Sequence, residues 1–138
     1  MPTVYETEFW RVRLPEGWAV READGQALVE IRKAAGGVGV LGLVTTHDEP
    51  KDWWCRRGEL FHGQLYGKMG EDRSKEFDSF SRWWTLLCGN VTVYISYYCV
   101  ESAGDLERED VDAIVQSLLP RSFDQQFRPL FDGEIPGR

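Results

Sequence analysis

Phe9-Trp10-Arg11-Val12-Arg13-Leu14 alternates apolar and polar positions with a period of two, which places Trp10, Val12 and Leu14 on one face of a strand. Pro15-Glu16-Gly17 then turns the chain. A second strand is expected over Trp18 to Arg21 and a third over Ala27 to Arg32, with Ala27, Val29 and Ile31 inward. Asp24-Gly25 between them is a hairpin signal, because both residue types accept the positive φ of a tight turn. After Ala34-Ala35-Gly36-Gly37, the stretch Val38 to Val44 is apolar at both parities. That predicts a central strand covered on both faces.

Asp48 can cap a helix whose first turn accepts Pro50, and Trp53, Trp54, Leu60, Phe61 and Leu65 recur at helical spacing. A long amphipathic helix is expected here, running to about Tyr66. Gly58, Gly63 and Gly67 each cost it about 1 kcal/mol relative to Ala, so it depends on packing. The charged Glu71 to Lys75 segment is expected to be a loop. From Phe77 the chain returns to strand character, and Arg82 to Cys88 meets Val91 to Val100 across Gly89-Asn90. In the resulting register Cys88 faces Val91, Leu86 faces Val93 and Trp84 faces Ile95, matching apolar side chains across the pair. Val111, Ile114, Val115 and Leu118 follow helical spacing behind an acidic first turn, and Pro120 stops the helix.

This order predicts an α+β fold, an antiparallel twisted sheet flanked by helices in a layered α/β/α sandwich. The expected core is Val29, Ile31, Val40, Leu43, Leu86, Val93, Ile95, Ile114, Val115 and Leu118. One domain over residues 1–119 is expected, with a tail over 120–138 packed on the domain or on a partner. Three segments carry a resemblance: Phe9 to Trp18, the Trp84 to Tyr97 hairpin, and Val111-Asp112-Ala113-Ile114-Val115-Gln116-Ser117-Leu118. In these the chain resembles the Mog1/PsbP-like fold family, in its bacterial adaptor branch. That family includes a Ran-binding nuclear protein, an extrinsic photosystem subunit and bacterial adaptors that chaperone secretion effectors. The resemblance implies non-enzymatic binding of another macromolecule, and it transfers no partner-contacting residue position by position.

Composition narrows the function classes. The 138 residues include 42% hydrophobic and 28% charged side chains, an ordinary globular balance. Sixteen Lys and Arg against 23 Asp and Glu leave a net charge of −7. Nucleic acid and anionic membrane are therefore poor partners, since both require clustered positive charge. The amino terminus lacks a basic region followed by an apolar stretch, and no run long enough to span a bilayer occurs, so a cytoplasmic location without membrane insertion is expected. Cys55, Cys88 and Cys99 form an odd set without C-x-x-C spacing, as expected of reduced, inert thiols.

The candidate chemistry is sparse. Cys55, Glu59 and His62 would share one flank of the expected long helix, but a zinc site needs further convergent ligands. Residues seven apart on a helix lie about 10 Å apart along its axis, too far for a direct Cys–His bond. Gly36-Gly37-Val38-Gly39 lacks the Lys-Ser or Lys-Thr of a phosphate loop. The acids between Glu101 and Asp112 match a calcium loop only in part and read as a solvated helix start or a surface for a basic partner. No catalytic residue, cofactor or metal is expected.

The aromatic load is the remaining signal. Trp83 and Trp84 must point to opposite faces of a strand, and exposed aromatics are interface anchors. The protein-binding candidates are therefore Trp83, Trp84, Tyr94 and Tyr98, together with the tail residues Phe123, Phe127 and Phe131. The sequence reads as a non-enzymatic, adaptor or chaperone-like protein-binding module, linked to a secretion effector through the family resemblance. An acidic immunity protein that neutralises a cationic toxin is the alternative, and a small Cys/His hydrolase the third reading. A homodimer through the same aromatics is a further arrangement.

Overall fold

The computed structural model describes residues 3–47, 59–61, 65–88 and 91–120. Ten strands occur among them: β1 (Thr3–Glu6), β2 (Trp10–Leu14), β3 (Trp18–Ala23), β4 (Leu28–Lys33), β5 (Val40–Thr46), β6 (Glu59–Phe61), β7 (Leu65–Ser74), β8 (Ser79–Cys88), β9 (Val91–Cys99) and β10 (Leu119–Pro120). A 3₁₀ turn at Glu101–Ala103 and one helix, α1 (Arg108–Gln116), separate β9 from β10. Seven strands form a sheet in the order β3-β4-β5-β9-β8-β7-β6, and β1, β2 and β10 form a small second sheet. Every neighbouring pair is antiparallel.

Alternation assigns the two faces of the large sheet. Val29, Ile31, Leu41, Leu43, Leu86, Val93 and Ile95 are buried on the inner one. Against them lie Trp10, Val12 and Leu14 of β2 and Val111, Ile114 and Val115 of α1, in one core cluster with Leu118. Polar ties fix the layers. The Trp10 indole N–H donates to Thr45 Oγ1 at 2.8 Å, and that of Trp18 to Asp110 Oδ2 at 3.0 Å. The Tyr5 hydroxyl donates to Glu22, joining β1 to β3.

Among the described residues the architecture is mostly antiparallel sheet with one helix, and no layered α/β/α sandwich is evident in them. One helix and the small sheet share the inner side. The two hairpins come out as their patterns dictate. Asp24 and Gly25 take φ of 54° and 64°, and Cys88, Leu86 and Trp84 oppose Val91, Val93 and Ile95. Ala27, however, is exposed and belongs to the turn, where its N–H donates to the Asp24 carbonyl.

Four further expectations are corrected. The long helix does not extend to Tyr66: Glu59–Phe61 and Leu65 onward are strands, with Phe61 opposite Leu65 and Tyr66 opposite Leu87. The earlier part of that helix, Asp48 to Gly58, lies outside the described residues. Glu71 to Ser74 is not a loop but the end of β7, because cross-strand partners absorb its charges. Glu71 stands opposite Arg82, and the Arg73 guanidinium lies 4.7 Å from the centre of the Phe80 ring. The core residue of β5 beside Leu43 is Leu41, and Val40 pairs with Tyr98 on the outer face. Among the described residues nothing supplies the expected second cover over β5 on that outer face, where Val44 is 43% exposed.

The Leu119–Pro120 pair hydrogen-bonds to β2 opposite Arg11 and Trp10, so the ladder continues to the point where the sequence places the start of the tail. The tail itself, residues 121–138, is outside the described residues. Among the described residues no helix is long and apolar enough to cross a membrane.

Candidate functional site: the outer face of the large sheet

The register of the central strands builds the site. On the outer side Val44 opposes Tyr94, Gly42 opposes Ser96 and Val40 opposes Tyr98 across β5 and β9. On the next strand Trp83 opposes Ser96, and beyond it Gly70 opposes Trp83. Two ridges therefore cross the strands, Val44–Tyr94 and Val40–Tyr98, with a lower row of Gly42 and Ser96 between them. Four residues along a strand put the two ridges about 14 Å apart at their Cα atoms.

Trp83 closes one end of this row. A Cβ at Gly70 would overlap the six-membered ring of Trp83, so the indole lies across the glycine, with the other π face turned away from the sheet. Only glycine allows that close approach. Trp83 is 43% exposed, Tyr94 40% and Tyr98 61%. None of the three has a hydrogen-bond or ring partner among the described residues. The opposite end of the row carries Glu30, with Arg21 Nη1 at 3.9 Å and Arg32 Nη2 at 3.6 Å from its Oε1.

Of the sequence candidates, Trp83, Tyr94 and Tyr98 converge on this face. Trp84 does not. It is 1% exposed on the inner face, opposite Ile95 and beneath the Arg82 guanidinium at 4.8 Å, and it serves the core. Phe123, Phe127 and Phe131 lie outside the described residues. Gly42 and Gly70, which sequence reasoning passed over, shape the face. For Gly42 the signal was glycine inside a strand pattern, which marks a close approach; Gly70 offered none, because its strand was not legible in the sequence.

The other candidate clusters resolve differently. Cys55 and His62 lie outside the described residues, and Glu59 sits in β6, so the expected helical flank is absent at that position. Among the described residues no three His, Cys, Asp or Glu side chains are placed to hold a metal. Burial pushes the Cys88 thiol up to about 12, holding it as an unreactive thiol.

Several acids of the segment are tied to the fold, although Asp105 stays 65% exposed at its side chain and Glu109 is exposed. Glu101 and Asp105 pair with Arg73 at 3.2 and 3.5 Å, Asp105 also with Arg108 at 2.9 Å, and Asp112 with the buried Arg82 at 2.7 Å. Asp110 accepts from Trp18, and buried Glu107 accepts from the Tyr97 hydroxyl at 2.7 Å and the Val38 N–H at 3.0 Å. The Arg108 contact holds the Asp105 carboxyl below the usual range.

No family model and no curated protein matches this chain. Among solved structures it is similar to a protein of Bacteroides thetaiotaomicron, with a TM-score of 0.53 at 11% identity, over 82% of this chain. The match spans 45% of that protein's length, so this chain corresponds to less than half of it. A second match is the cyanobacterial PsbP of Synechocystis sp. PCC 6803, with a TM-score of 0.45 at 11% identity, covering 86% of this chain and 92% of that one. The first of these likenesses is one of fold.

Proposed function

We propose that the chain is a non-enzymatic protein-binding module, an adaptor or chaperone-like domain, and that the outer sheet face holds its partner. The observation that carries this reading is the set of three large aromatics, Trp83, Tyr94 and Tyr98, raised on one sheet face with the adjacent Val44 also exposed. Large apolar side chains gathered on one exposed face mark an interaction site more often than an idle surface, and Trp and Tyr are the residues that dominate binding energy. A secretion-effector partner is what the resemblance to bacterial adaptors implies. The immunity reading is weaker because three of the acids it would present to a toxin, Glu101, Asp105 and Asp112, already pair with Arg73, Arg108 and Arg82.

The test is a double substitution, Trp83→Ser with Tyr98→Ser. Affinity isolation of the tagged chain from its own cells should lose the co-purifying protein at least tenfold, while the thermal midpoint moves by no more than about 2 °C, since surface changes cost within about 0.5 kcal/mol. Unfolding of the double variant would assign the rings to structure and remove the basis of this reading.

A further inference from the structure

We infer that the row between the two tyrosine ridges is a groove for a short proline-rich segment carrying acidic residues at one end. This rests on the protein-binding reading above and names the chemistry of the partner at the same face.

Gly42 is the starting point. It lies in the middle of a central strand, where glycine sacrifices about 0.5–1 kcal/mol against alanine. Nothing among the described residues requires it. A Cβ there would meet only Ser96 Oγ, at 3.7 Å, an ordinary contact, and its φ is not in the left-handed region. Glycine inside a strand without a bulge marks a place where a ligand or another backbone comes close. Gly42 is on the floor of the groove, opposite Ser96, between the ridges Val44–Tyr94 and Val40–Tyr98.

The shape selects the occupant. Ridges about 14 Å apart at Cα leave roughly 10 Å between side-chain surfaces. An α-helix, about 10–12 Å across with its side chains, fills that gap before its backbone reaches the floor. A β-segment could reach the floor, but a sheet face offers no ladder, so its N–H and C=O groups would be left without partners. A polyproline II segment avoids both problems. It makes no internal hydrogen bonds, proline brings no N–H, and its rings pack on Trp and Tyr faces. From Trp83 on β8 to Glu30 on β4 is three strand spacings, about 14 Å, which matches four to five residues at about 3.1 Å each.

Charge fixes the far end. Arg21 and Arg32 have side chains 74% and 52% exposed, and among the described residues Glu30 is the acid between them. On a chain of net charge −7 the described residues give this end of the groove two cations to one anion, and it complements an acidic residue.

The probes are synthetic peptides in which a short run of prolines is followed, or preceded, by a pair of aspartates, the same peptides with a pair of lysines instead, and a displayed library of random ten-residue peptides. Each is titrated against the full chain. One of the acidic peptides should bind saturably with quenching of tryptophan fluorescence, at least fivefold tighter than its lysine counterpart. Gly42→Val should weaken that binding at least tenfold with an unchanged or higher thermal midpoint, and Gly42→Ala should weaken it less. No binding by either acidic peptide, binding indifferent to Gly42→Val, or a lowered midpoint in both Gly42 variants would overturn the inference. Library selection of proline-free peptides whose binding depends on Trp83 would overturn it too, while leaving the protein-binding reading in place. Selection of nothing that depends on Trp83 would sink both.

Discussion

Trp84→Ala should lower the unfolding free energy by about 3–5 kcal/mol, the usual cost of truncating a fully buried aromatic, whereas Trp83→Ala should change it by less than about 1 kcal/mol. The two residues are neighbours in sequence and alike in chemistry. Their difference is entirely one of face. Trp84 is 1% exposed over the core and Trp83 43% exposed over Gly70. Urea unfolding at neutral pH measures both. Equal losses in the two variants would mean that the sheet is covered on both sides and that the outer face is no site at all.

The second large effect is alkaline. Burial raises the Cys88 thiol to about 12. Burial, helped by the Glu107 carboxylate, raises the Tyr97 phenol, and burial with Glu22 raises Tyr5 to about 12. Each folded pKa lies above its unfolded value, so the folded state holds these protons after the unfolded chain has lost them. Their stabilising contribution is complete below about pH 9 and is lost as pH rises toward 12. For Cys88, a rise from 9 to about 12 is a contribution of order 4 kcal/mol. Between pH 9 and 11 the unfolding free energy should therefore fall more steeply in the native chain than in Cys88→Ala, by about 1.4 kcal/mol per pH unit. Parallel slopes in the two proteins would show that the thiol is not buried.

The parts of the fold that were legible in the sequence are those whose pattern is local. Asp24-Gly25 and the matched Trp84–Ile95, Leu86–Val93 and Cys88–Val91 pairs specify their hairpins within a few residues, and Val111, Ile114, Val115 and Leu118 specify one helix face. The strand from Leu65 to Ser74 was not legible. Leu60, Phe61 and Leu65 fit a helical spacing as well as a strand, and only the distant partner β8 decides between them. In the same way, a run apolar at both parities left Val40 and Leu41 equivalent until the helix took one side of the sheet. The candidate site was half visible. Adjacent tryptophans had to face opposite ways, but which one faces outward depends on Gly70, on the neighbouring strand, and on where α1 packs. Glu101 and Asp112 looked solvated because Arg73 and Arg82, with which they pair, are remote in sequence.

The most direct measurement of the central claim is a photo-crosslinking scan with a photoreactive phenylalanine analogue placed singly at Tyr94, Tyr98, Phe77 and Leu106 in the chain's native cells. Phe77 and Leu106 are more exposed than Tyr94 and Tyr98, at 76% and 73%, and lie in turns rather than in strands of the large sheet. A partner polypeptide should be captured from positions 94 and 98 and not from 77 and 106. Capture from the two turn positions alone, or equally from all four, would contradict the assignment of the outer face as the binding surface.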